Sequence, residues 1–142
     1  MQPGLFTTHD SRTLLVDANN EHGGQLVEQL NHAGFKTDFA VSWNAAHAAL
    51  RANYYRSFIV FADLDQSADL EQLDELRRAA VRVWIIVLSD LQREKALVLA
   101  HRQGVDAVLS APFSMQDLTS RLAAFSLRAR PAFEPGGRLE TG

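Results

Sequence analysis

The sequence predicts a doubly wound (βα)5 domain, a five-stranded parallel sheet covered by helices on both faces. Three observations carry that prediction. Apolar runs and segments of helical spacing alternate five times along the chain. The apolar runs are continuous, as in Val83-Trp84-Ile85-Ile86-Val87-Leu88, which is the pattern of strands buried on both faces. The chain has 142 residues, 46% hydrophobic and 22% charged, enough for a single domain with its own core and ordinary in composition for a globular protein.

Each element follows from its own stretch. Thr13–Val16 reads as the first strand, and Leu26, Val27, Leu30 and Ala33 share one face of the helix after it. Phe35–Val41 is a weaker second strand, followed by a stripe of Ala45, Ala48 and Ala49. Phe58–Ala62 is the third strand, with Leu70, Leu73 and Leu76 as its helical partner. Val83–Leu88 is the fourth, followed by Ala96, Leu97, Leu99 and Ala100. Ala107–Leu109 is the last, and Leu118, Leu122 and Phe125 mark the fifth helical segment. Gly34 and Gly104 stand where helices should stop. The domain is expected to span residues 12–130, after a flexible segment at 1–11. Residues 131–142, PAFEPGGRLETG, are rich in Pro and Gly without apolar period and read as a linker or tail.

Several function classes are excluded early. There is no cysteine, hence no disulfide, thiol chemistry or cysteine metal site. The net charge of −3 argues against a surface that coats nucleic acid. No apolar run approaches the ~20 residues of a membrane span, and the start lacks the pattern of a signal peptide, so a cytoplasmic protein without membrane contact is expected. The histidines, His9, His22, His32, His47 and His101, form no ligand spacing. Ser89 has no histidine nearby in sequence to activate it. Gly23-Gly24 lacks the company of a phosphate-binding loop and reads as a loop and helix start.

Ligands of doubly wound sheets bind beyond the C-terminal ends of the strands. Asp17 and Ala18 follow the first strand, Asp63 and Asp65 the third, Ser89 and Asp90 the fourth, and Ser110-Ala111-Pro112 the fifth. Asp17, Asp63 and Asp65 have the oxygen chemistry of a hard divalent cation site. Polar turn and cap residues at strand ends account for them equally well.

From Arg12 to Arg130 the chain resembles the receiver domain of bacterial two-component response regulators, a flavodoxin-like fold. The resemblance is most specific in VWIIVLSD and in RQGVDAVLSAPFSMQDLTSRLAAFSLR, and LLVDA resembles the strand that carries the family's acidic pair. It implies phosphoryl transfer to an aspartate after the third strand, with Mg2+, a phosphate-contacting lysine, a switch hydroxyl and a switch aromatic. Carried over position by position, the first acid is Asp17 and the second is Ala18. The switch hydroxyl is Ser89, the lysine position is Ala111 and the switch aromatic is Val108. Matching on Asp-Leu makes Asp63 the acceptor-equivalent, whereas counting from Ser57 puts Ala62 there. An alanine in place of the lysine offers no positive group to the transferred charge.

The resemblance therefore implies a degenerate pseudo-receiver that is not an enzyme and acts by protein contact. Mg2+ at Asp17, Asp63 and Asp65 would be weak or vestigial, and no cofactor is expected. The alternatives are a working phospho-acceptor using Asp63 with Mg2+, or a small-molecule sensor in the vacated pocket. Expected partners are a sensor kinase or other signalling protein, and DNA only through an output domain outside this chain. Asp106, Asp117 and Arg121 match a homodimer face of the family, built from the fourth helical segment, fifth strand and fifth helical segment. Val98 and Leu99 are candidates for its apolar strip.

Overall fold

Thr13–Asp17 forms the first strand, β1, and all five of its residues are buried. A computed structural model describes residues 12–18, 22–89, 104–128 and 130–131. The further strands are β2 (Thr37–Ala40), β3 (Ser57–Phe61), β4 (Trp84–Ser89) and β5 (Ala107–Ser110). The described helices are α1 (Gly23–His32), α2 (Trp43–Ala52), α3 (Ser67–Ala79) and α4 (Met115–Ser126). The last of these is the fifth helical segment of the sequence. The fourth, with Ala96, Leu97, Val98, Leu99 and Ala100, lies outside the described residues.

All strands are parallel, in the order β2-β1-β3-β4-β5, so β1 is inner and β2 and β5 are edges. The predicted doubly wound sheet is thus the observed one. Strand ends shift by one or two residues. The third strand starts at Ser57 and finishes at Phe61, and the second shrinks to Thr37–Ala40.

Strand side chains alternate between two apolar layers, because successive residues point to opposite faces. Leu14, Val16, Phe58, Val60, Ile85, Val87 and Val108 pack against Ala46 of α2 and Leu73 and Leu76 of α3. Leu15, Ile59, Trp84, Ile86, Leu88 and Leu109 pack against Leu26 and Leu30 of α1 and Leu118, Leu122 and Phe125 of α4. Burying one such side chain stabilises by roughly 1.5–3 kcal/mol, which explains why both faces of every inner strand are apolar.

Helix ends follow local chemistry. Ser42 and Ser114 accept the amides of Ala45 and Asp117 and so cap α2 and α4. Past α1, Gly34 has φ +96°, its amide bonds Asn31 and the Phe35 amide bonds Leu30. That is a six-to-one closure, favoured by glycine in the left-handed region.

Candidate functional site

A cleft of about 670 Å3 opens beyond the C-terminal ends of the strands. Its lining includes Asp17, Ala62, Asp63, Asp65, Ser89 and Ala111 of the strand-end residues singled out in the sequence, and does not include Ala18. Among the described residues that line it there are three aspartates and one histidine, and no lysine or arginine.

Asp17 is 2% exposed. Its Oδ2 accepts the amides of His22 and Gly23, both at 2.9 Å. The carboxylate therefore caps α1 from the end of β1, a charge placed at the positive end of a helix. Glycine is required beside it. A Cβ on Gly23 would stand 2.4 Å from Phe39 Cε1 and 2.9 Å from Asp17 Cβ. The Gly23-Gly24 pair therefore serves packing at the start of α1.

Asp63 is exposed and occupied by its own turn. Its Oδ1 accepts the Asp65 amide at 3.0 Å, and its carbonyl accepts the Gln66 amide at 2.9 Å. Its amide donates to Oδ2 of Asp69 at 2.7 Å. This is the aspartate-led turn chemistry that competes with any ligand role. β3 stays in register to its end, with Asp17 opposite Phe61 and Phe61 opposite Leu88. One residue beyond, Ala18 follows β1 and Ala62 follows β3, and the Ala62 amide donates to the Leu88 carbonyl at 3.2 Å.

Ser89 is 6% exposed at the end of β4. Ala111 is exposed, its amide donates to the Ser89 carbonyl at 2.9 Å, and the Ala111–Pro112 peptide is cis. Val108 is 4% exposed and part of the α2–α3 layer. Asp90 lies outside the described residues.

A Mg2+ ion needs near-octahedral oxygen ligation. Among the described residues no three His, Cys, Asp or Glu side chains assemble into a metal-holding group. Asp17 directs one oxygen to two amides, Asp63 directs one to a turn, and Ala18 has no oxygen to offer.

The dimer-face residues are placed apart. Asp117 lies in the first turn of α4, near the cleft end, and is 3.6 Å from Arg121 on the same helix. Asp106 precedes β5, at the other end of the sheet. Both of its oxygens accept Arg130 Nε at 2.9 Å, and Oδ2 also accepts Arg77 Nη2 and the Ile85 amide. The sequence places Asp106 on a partner-facing surface. In the structure its oxygens are used within the chain.

Sequence reasoning missed Asp69, the capping use of Asp17, and the cleft wall. The wall includes Gln25 and Gln29 of α1, together with Phe61, Phe113 and Met115. The Phe61 ring lies 5.8 Å from the His22 ring. The one legible signal was Asp69, in the first turn of a helix, where an acid is favourable.

The fold is that of response-regulator receiver domains. A Francisella response-regulator receiver domain superposes with a TM-score of 0.70 at 20% identity, covering 82% of this chain and 96% of that one. Among curated proteins, the photosynthetic apparatus regulatory protein RegA of Rhodobacter capsulatus is 27% identical over 115 residues, 81% of this chain and 62% of that protein. The transcriptional regulatory protein RprY of Bacteroides fragilis is 25% identical over 119 residues, 84% of this chain and 50% of that protein. The matched stretch thus spans between half and two thirds of these relatives. No protein-family model matches the chain. No helix among the described residues is long and apolar enough to cross a membrane.

Proposed function

We propose that this chain is a receiver-type signalling module that works by protein contact, without phosphoryl transfer to an aspartate. One observation carries the reading: Ala62 and Ala111 line the cleft, Ala18 follows Asp17 at the end of β1, and the described lining holds no lysine or arginine. Phosphoryl transfer is catalysed almost wholly by positioning and by meeting charge with charge. The unbroken register of β3 supports Ala62, and not Asp63, as the residue in line with the acceptor position. The turn bonds of Asp63 support the same reading.

The names of RegA and RprY support a role in regulation; on this reading the partner is a sensor kinase, another signalling protein or a further domain that contacts DNA. Self-association across β5 and α4 would rest on Asp117, Arg121 and apolar side chains, since Asp106 is paired within the chain. The proposal does not depend on it.

Acetyl phosphate with Mg2+, followed by intact-mass measurement, tests the reading. No phosphoryl adduct is expected. A stoichiometric adduct, abolished by Asp63→Asn, would overturn it.

The size of the cleft favours a second reading, in which it takes a small molecule. Its volume of about 670 Å3 falls within the ordinary range of ligand pockets. A ligand bound only by the folded state would raise the melting temperature.

A further inference from the structure

We propose that Leu127, Arg128, Arg130 and Pro131 form a latch, closed by Arg130 on Asp106 across the N-terminal edge of the sheet, and that it sets the direction in which the chain leaves α4. The proposal concerns the end of the sheet opposite the cleft and stands whether or not the cleft accepts a phosphoryl group. A segment following a terminal helix is ordinarily loose unless tied down. Here the ties come from the starts of three adjacent strands. Just before β3, Arg56 Nη1 donates to the Arg128 carbonyl at 3.0 Å. At the start of β4, Trp84 Nε1 donates to the same carbonyl at 3.2 Å. Just before β5, Asp106 receives Arg130 on both oxygens at 2.9 Å.

The aromatic floor is built from the helix that the latch follows. Trp84 stacks on Phe125 of α4, with ring centroids 4.3 Å apart and planes 1° from parallel. The guanidinium carbons of Arg128 and Arg130 lie 5.2 and 5.9 Å from the Trp84 centroid, within cation–π range. Arg130 Nη1 also reaches the carbonyls of Val81 and Pro131. The Arg130 and Asp106 side chains are each 13% exposed, so solvent and salt screen this pair far less than a surface pair.

The same carboxylate also serves Arg77, which makes the latch separable from the core. Arg77 is fully buried and donates to the carbonyls of Gly104, Ala80 and Val83 as well as to Asp106. Burial, with the neighbouring Arg130 charge adding to it, lowers the Arg77 guanidinium to about 10. Releasing Arg130 leaves the Arg77–Asp106 pair intact, so the strap can open without stranding a buried charge.

Limited trypsin digestion of the full chain tests the latch. The reporter is the Arg128–Ala129 bond, because Arg130 is followed by Pro131 and is a poor trypsin site. Cleavage that tracks the open population should rise on the order of tenfold in Arg130→Gln. The far-UV circular dichroism should be unchanged. Equal cleavage rates in the two proteins would overturn the proposal. Hydrogen exchange on the unaltered chain gives a second readout that needs no variant. The Trp84 indole N–H, which donates to the Arg128 carbonyl, is expected to be protected, and exchange at the rate of an exposed indole would overturn the proposal as well.

Discussion

Where the strands finish, Asp17, Asp63 and Asp65 border a cleft whose described lining contains no lysine or arginine. Where the strands start, Asp106 lies between Arg77 and Arg130 and accepts from both, and from the Ile85 amide. The acids at the first end bond backbone amides close by in sequence: Asp17 reaches five and six residues ahead, and Asp63 two. The acid at the second end joins side chains 29 and 24 residues away. The difference teaches where each kind of charge acts. The cleft-end carboxylates hold local structure, a helix start and a turn, whereas the strand-start carboxylate holds elements to one another.

That contrast is broken or sharpened first by Asp106→Ala. Removing one partner from a buried ion pair strands the other charge, here Arg77. We expect a loss of about 3–5 kcal/mol, read from the shift in urea midpoint at constant slope. A loss no larger than that of an exposed salt bridge would erase the distinction between the two ends.

Next in size is Asp17→Ala. It deprives the His22 and Gly23 amides, at the start of α1, of their acceptor, at a cost of roughly 1–3 kcal/mol. Asp63→Ala, in an exposed turn, should stay within about 0.5 kcal/mol. Parallel denaturation curves for the two variants check the pair. Equal losses would show that Asp63 carries more than its turn.

A pH-dependent effect concerns Tyr55, which precedes β3 and donates its hydroxyl to Asp38 at 2.6 Å. Burial, and then the Asp38 carboxylate as acceptor and as charge, raise the phenol well above its ordinary range. The folded state therefore holds the proton more tightly than the unfolded state. The resulting stabilisation is complete below the unfolded value of about 10 and is lost as pH rises above it. The stability gap between the unaltered chain and Tyr55→Phe should thus be largest near neutral pH and shrink above pH ~10. A gap that widened with alkali would reverse the assigned direction.

The fold was legible because its signals are local and redundant. Thr13–Val16, Phe58–Ala62 and Val83–Leu88 are continuous apolar runs, and each is separated from the next by helical stripes. A strand covered on both faces has no other composition open to it. The wall of the cleft was less legible. Gln25, Phe61 and Met115 come from three separate elements, and no spacing in the sequence connects them.

Asp106 shows most directly what the sequence leaves open. Beside Asp117 and Arg121 it reads as part of an exposed charged face. A carboxylate's partners depend on which chains pass within hydrogen-bond reach. Arg77, at the end of α3, and Arg130, beyond α4, come within that reach only when both helices have packed on the sheet. By itself the sequence determined the alternation of strand and helix, the two apolar layers, and the alanines at positions 18, 62 and 111. Those follow from side-chain identity and period, which travel with the chain. Tertiary structure decided that Asp17 caps a helix, that Asp63 closes a turn and that Asp106 ties the exit of the chain to the sheet. Each of those is a matter of distance between groups, and distance is set by packing.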